Sequence, residues 1–107
     1  MIICATKDVF MKTKISEIAE GLETSLLYRT TAEGIKEAIS QHNVSQVIID
    51  LNLPNAIEMI KEVKKSFNVK FVGFATDYDL EKKAKEIGVE VMPKSVFFEK
   101  LNEILYG

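Results

Sequence analysis

The sequence predicts a parallel α/β domain, a sheet covered by helices on both faces. Three observations lead there. Short, uniformly apolar runs alternate from end to end with amphipathic segments of helical period. Capping residues and glycines fall at the joints between them. The length, 107 residues, suits one such domain with a real hydrophobic core.

The elements follow in order. Ile2–Ala5 is apolar on both sides, as a strand in the middle of a covered sheet must be. Val9–Glu20 carries Phe10, Met11, Ile15 and Ile18 at helical spacing, with Leu22 just beyond. Asp8 is placed to cap it and Gly21 to stop it. Ser25–Tyr28 is the second strand. Thr30 with Glu33 fits a capping box for Ala32–His42, whose stripe is Ile35, Ala38 and Ile39. The lone His42, beside Asn43, suits a helix C-terminus better than catalysis. Gln46–Asp50 is the third strand, and Asn55 with Glu58 makes a second capping box for Ala56–Ser66, with Ile57, Ile60 and Val63 inward. Lys70–Ala75 is the fourth strand; Gly73 within it reads as room for close helix packing. Asp79 is placed to cap Leu80–Ile87, and Gly88 ends that helix. Glu81, Lys82, Lys83, Lys85 and Glu86 read as its solvated face with i, i+4 pairs. Glu90–Met92 is the fifth strand. Ser95 is placed to cap a last helix, Val96–Tyr106, bearing Phe97, Phe98, Leu101, Ile104 and Leu105. Five β-α units in series imply right-handed crossovers and a doubly wound sheet.

Bulk properties exclude several classes. A net charge of −2 gives no electrostatic case for nucleic acid or an anionic membrane. Arg29 is the only arginine, which disfavours bidentate recognition of phosphate or base edges. One cysteine, Cys4, cannot form an internal disulfide. No run approaches a membrane span, and MIICATKD is not a secretory signal, so a cytoplasmic protein is expected. There is no GxGxxG or Walker loop, no second His or Cys to pair with His42 for a metal, and no nucleophile–base pair. Nucleotide binding and enzymatic activity are not expected.

In such sheets ligands bind outside the carboxyl ends of the strands. The residues to read are therefore Thr6, Lys7 and Asp8, then Asp50 to Pro54, Ala75 to Asp77, and Pro93 to Ser95. Asp50 ends the third strand in VIIDLNLP, where a carboxylate could form an acyl phosphate. A strand-end Asp is also a common loop or cap carboxylate.

Residues 46–54, QVIIDLNLP, resemble the third strand and following loop of response-regulator receiver domains. The segment FVGFAT, the Gly88 turn and a Lys before the last helix extend the resemblance over the whole chain. DVFMKTKI, VGFATDYD and MPKSVFFEKL look closer to a divergent group of receiver-like proteins. The resemblance implies a flavodoxin-like (βα)₅ three-layer sandwich over 1–107, with strand order 2-1-3-4-5. It implies Asp50 as the phosphoacceptor candidate, with Thr6, Lys7, Asp8, Asn52, Ala75, Thr76 and Lys94 lining the site. It also implies a docking face built from the fourth helix, the fifth strand and the last helix, for which Phe97, Phe98 and Tyr106 are candidates. Adjacent Phe97 and Phe98 cannot share one helix face, so one of them is core.

The departures from the family carry as much weight. Receivers hold Mg²⁺ with an acidic pair at the end of the first strand; Thr6 and Lys7 stand there instead. Asp8 follows as the helix cap. The phosphoryl-binding hydroxyl of the fourth strand falls at Ala75, with Thr76 next to it and strand register against a slip. The family's Lys-Pro appears as Pro93-Lys94-Ser95. These changes predict Asp50 held between Lys7 and Lys94, which would favour its ionised form without metal. The expected function is a receiver-like regulatory module acting through protein–protein contact, with no cofactor and without Mg²⁺-dependent phosphorylation. The alternative is a phosphorelay response regulator phosphorylated on Asp50, with Mg²⁺ and a histidine kinase as partner. A further alternative is a phosphotransferase IIB-like protein phosphorylated on Cys4, although its loop lacks the small residues that surround a phosphate. No output domain is expected after Gly107. The chain is expected to be a monomer or weak homodimer, the dimer formed through the last helices.

Overall fold

In the computed structural model, which describes residues 1–107, eleven elements alternate along the chain. They are β1 (Ile2–Ala5), α1 (Val9–Gly21), β2 (Leu26–Tyr28), α2 (Ala32–Gln41), β3 (Gln46–Asp50), α3 (Ala56–Ser66), β4 (Lys70–Ala75), α4 (Tyr78–Glu86), β5 (Glu90–Pro93), α5 (Lys94–Glu99) and α6 (Leu101–Tyr106). The five strands form one parallel sheet in the order β2-β1-β3-β4-β5, as expected.

Strand alternation divides the core in two. Ile3, Val47, Ile49 and Phe71 point to α2, α3 and α4. Ile2, Cys4, Ile48, Val72 and Phe74 point to α1, α5 and α6. The three inner strands are therefore apolar on both faces. Gly73 lies where a Cβ would come within 3.2 Å of Val89 and 3.3 Å of Leu51. Its close neighbours are connecting segments, not the helix that was expected.

Several boundary expectations are corrected. Thr31, not Thr30, caps α2, its hydroxyl accepting from Gly34 N–H. Asn55 precedes α3 in a left-handed conformation (φ 60°), which aims its side chain away from the helix N–H groups, and it makes no capping bond. Asp77, not Asp79, caps α4, accepting from the Asp79 N–H at 2.7 Å. Ser95 caps nothing, because α5 starts at Lys94 directly after Pro93. The expected single last helix breaks at Lys100, whose N–H is shared between the Val96 and Phe97 carbonyls. α1 runs through Gly21 and turns at Glu23 (φ 56°), whereas Gly88 (φ 83°) ends α4 as expected. Lys85 pairs with Glu81 one turn back.

Candidate functional site

Register brings the site residues together. β1 and β3 run side by side with Ala5 opposite Ile49. Thr6 and Asp50 come next on each strand and share the face turned to α1 and α5. The Thr6 hydroxyl, fully buried, donates to Asp50 Oδ2 at 3.0 Å, and the Asn52 N–H donates to Oδ1 at 2.9 Å. Both carboxylate oxygens are thus engaged, and Asp50 is only 8% exposed. The Thr6 oxygen accepts in turn from the Asp8 N–H. That contact orders the turn into α1.

The predicted lysine clamp does not form. Lys94 Nζ bonds Asp8 Oδ2 at 2.6 Å, and Lys7 is exposed and in no ion pair. The reason is local: Asp8 already faces the sheet end to cap α1, accepting from the Met11 N–H at 3.0 Å, and it lies nearer to Lys94. The Lys94 hydrogen bond, then the Met11 N–H, holds the Asp8 carboxyl below its ordinary value of 3.8. The same bond raises Lys94 above 10.5, with the charge of Asp50 acting from further off.

The position of the hydroxyl is also corrected. Asp50 pairs with Phe74, and Ala75 lies on the opposite face, packed in the core under α2–α4. Thr76, two residues beyond Phe74, is the residue that reaches the site. Its hydroxyl donates to Asn52 Oδ1 at 3.1 Å, not to Asp50. The placement follows from the register of Asp50 with Phe74, which the apolar pattern alone does not give.

The residues around Asp50 do not fit a Mg²⁺ ion. Mg²⁺ needs an octahedron of oxygens, usually with two or more carboxylates. Here a neutral hydroxyl stands beside Asp50, and Asp8 is committed to Lys94 and to its helix. Nowhere in the chain do three metal-ligating side chains converge.

Of the other candidates, Cys4 is fully buried in β1, and burial pushes its thiol up to about 12. No phosphoryl donor can reach it, so that reading is set aside. Phe97 is corrected from docking face to core: it is fully buried and stacks on Phe74 at 4.6 Å. Phe98 is half-buried against Phe10 at 5.7 Å, and Tyr106 is 83% exposed at the opposite end of the sheet.

A stability consequence follows from Asp8. Asp8→Ala removes a helix cap and the partner of Lys94 and should cost about 1–2 kcal/mol in urea unfolding at pH 7. Asp8→Asn keeps the acceptor for Met11 and should cost about half as much. Because the folded-state pKa of Asp8 is depressed, its ionic contribution is present above the ordinary carboxylate range and fades as pH falls through the folded value. Lys94 is raised, so its share is lost only as pH climbs through its own folded value. The gap between native and Asp8→Asn chains should therefore narrow as pH falls below the ordinary carboxylate range; a gap that widens in acid would contradict the assignment.

No protein-family model and no curated protein matches the sequence. Solved structures do. A response regulator receiver protein from Pseudoalteromonas atlantica superposes with a TM-score of 0.77 at 16% identity, over 95% of this chain and 90% of that one. A CheY-like receiver domain from Methylobacillus flagellatus gives 0.72 at 24% identity, over 97% and 92%. The BeF3-activated N-terminal receiver domain of Klebsiella pneumoniae RstA gives 0.73 at 15% identity, over 99% and 98%. With the strand order and the strand-end Asp50, these matches establish that the chain has the fold of a response-regulator receiver domain.

Proposed function

We propose that this chain is a receiver-like signalling module that works by binding another protein and does not undergo Mg²⁺-dependent phosphorylation. One observation carries the reading: the Thr6 hydroxyl, at the place of the acidic pair, already satisfies Asp50 Oδ2. Phosphoryl transfer to a carboxylate builds charge that a metal must offset. Thr6 and Lys7 supply no metal ligand of the needed kind. A hydroxyl donor and a backbone N–H fix the carboxylate as a structural acceptor.

A second reading retains support from Thr76 and Lys94. Both reach the end of the sheet beside Asp50, as the hydroxyl and the lysine of a phosphoacceptor site would. In that reading a histidine kinase is the partner and Mg²⁺ the cofactor. Yet Thr76 is bonded to Asn52 and Lys94 to Asp8, so both would have to exchange partners.

The test is incubation with a small phosphodonor and Mg²⁺, read by intact-protein mass, and with beryllofluoride, read by NMR shifts. No adduct and no shift are expected. Stoichiometric Mg²⁺-dependent labelling, abolished by Asp50→Asn, would overturn the reading in favour of the second.

A further inference from the structure

The Asp50 end of the sheet carries an open cavity of about 820 Å³. That volume lies within the roughly 300–1,000 Å³ of small-molecule sites. Its rim is aromatic. Phe10 of α1 and Phe98 of α5 line it from one face of the sheet, their ring centres 5.7 Å apart and their planes within 16° of parallel. Tyr78 of α4 lines it from the other face. Phe10 is 70% exposed and Tyr78 76%. They are two of the four large apolar side chains that the fold leaves to solvent, and both stand on this one cavity.

Most polar groups of the lining are already engaged. The Thr76 hydroxyl donates to Asn52, and Lys94, the one cation in the lining, is held by Asp8. Glu81 pairs with Lys85 at 3.6 Å. Glu99 follows Phe98, over whose ring Lys14 Nζ stands at 5.9 Å. Asp77 differs. Its Oδ1 accepts from the Asp79 N–H, and no cation pairs with its carboxylate. The ring of Tyr78, the next residue, is free to stack.

We infer that this cavity is a binding site for a small planar aromatic molecule bearing one positive charge. The ring system would lie between Tyr78 and the Phe10–Phe98 pair, with its cationic group toward Asp77. Aromatic faces and a free carboxylate both attract a cation. An anion finds its one candidate partner, Lys94, already taken. Three aromatic side chains of about 150–250 Å² each fall short of the roughly 800 Å² per partner of a standard protein interface, which favours a small ligand over a protein. Thr76 and Lys94 share the lining, so the ligand would sit at the mouth above Asp50. The inference holds whether or not Asp50 accepts a phosphoryl group.

An NMR titration of the full chain with three probes of one ring system tests it. Tryptamine is the cation, tryptophol the neutral form and indole-3-acetate the anion. Tryptamine should shift the amides of Phe10, Asp77, Tyr78 and Phe98, with a dissociation constant on the order of 1 mM for so small a fragment. Tryptophol should bind about threefold more weakly, and indole-3-acetate about tenfold. Tyr78→Ser should leave the melting temperature unchanged and weaken all three at least about fivefold. Asp77→Asn keeps the acceptor that caps α4. It should bring tryptamine down to the level of tryptophol and leave tryptophol as it was. A chain silent to every probe at about 10 mM overturns the inference and leaves the cavity to a segment of another protein. Equal binding of the three probes, or shifts that survive Tyr78→Ser undiminished, overturns it equally.

Discussion

Phe97→Ala should lower the unfolding free energy by about 3–5 kcal/mol, a large part of the 5–15 kcal/mol typical of a domain. Phe97 is fully buried, and its ring stacks on Phe74 at 4.6 Å. Around it lie Met11 and Ile15 of α1 and Leu101 of α6, in the core layer that covers one face of the sheet. Removing the ring loses both its burial and the packing of a central aromatic, and α5 is too short to collapse around the void. Phe98→Ala is the matched control. Its ring is half-buried against Phe10, and its loss should cost about 1 kcal/mol. Urea midpoints at constant slope decide between them. Equal losses at the two positions would mean that the α5 face is misassigned.

Thr6→Asp with Lys7→Asp should make the stability of the chain depend on Mg²⁺. The double change sets new carboxylates beside Asp50 and removes the only side-chain donor to its Oδ2. Like charges at a site this enclosed should cost about 3 kcal/mol or more without metal. Mg²⁺ at 100 times its dissociation constant would return about 2.7 kcal/mol. Thermal melts with and without the ion are the measurement. Thr6→Val separates the two effects: it removes the donor alone, should cost about 1–3 kcal/mol, and should not respond to Mg²⁺. A native chain whose melting point climbs with millimolar Mg²⁺ would contradict the account of the site.

Fold and site were legible in the sequence to different depths. Hydropathic period located every strand, because a short two-sided apolar run such as Val47–Ile49, bounded by turn residues and alternating with amphipathic segments, suits a covered parallel sheet. The same pattern could not place caps. Thr30 and Thr31 are equivalent in composition, and only the backbone turn decides that Thr31 meets Gly34 N–H. The site failed in the same way. Knowing that Lys7, Lys94 and Asp50 converge does not say which carboxylate a lysine takes. Asp8 won Lys94 because capping had already aimed it there. Thr76 was counted among the lining residues, but the hydroxyl position was given to Ala75, because the face of a residue past the strand end depends on register with β3.

The break at Lys100 sets an order of release. α5 and α6 have six residues each, below the length at which a helix sustains itself, so each persists only through Phe97, Leu101 and Leu105. β3, flanked by strands on both edges and helices on both faces, cannot open without losing the whole sheet. Backbone amides after Pro93 should therefore exchange with solvent deuterium through partial openings, while those of Val47–Ile49 wait for global unfolding. The carboxylate of Asp50 is anchored to the slowest-exchanging strand, and Lys94 to the segment that lets go first. The Asp8–Lys94 contact is the seam between them, so the mouth of the sheet can come apart on one side while Asp50 stays fixed.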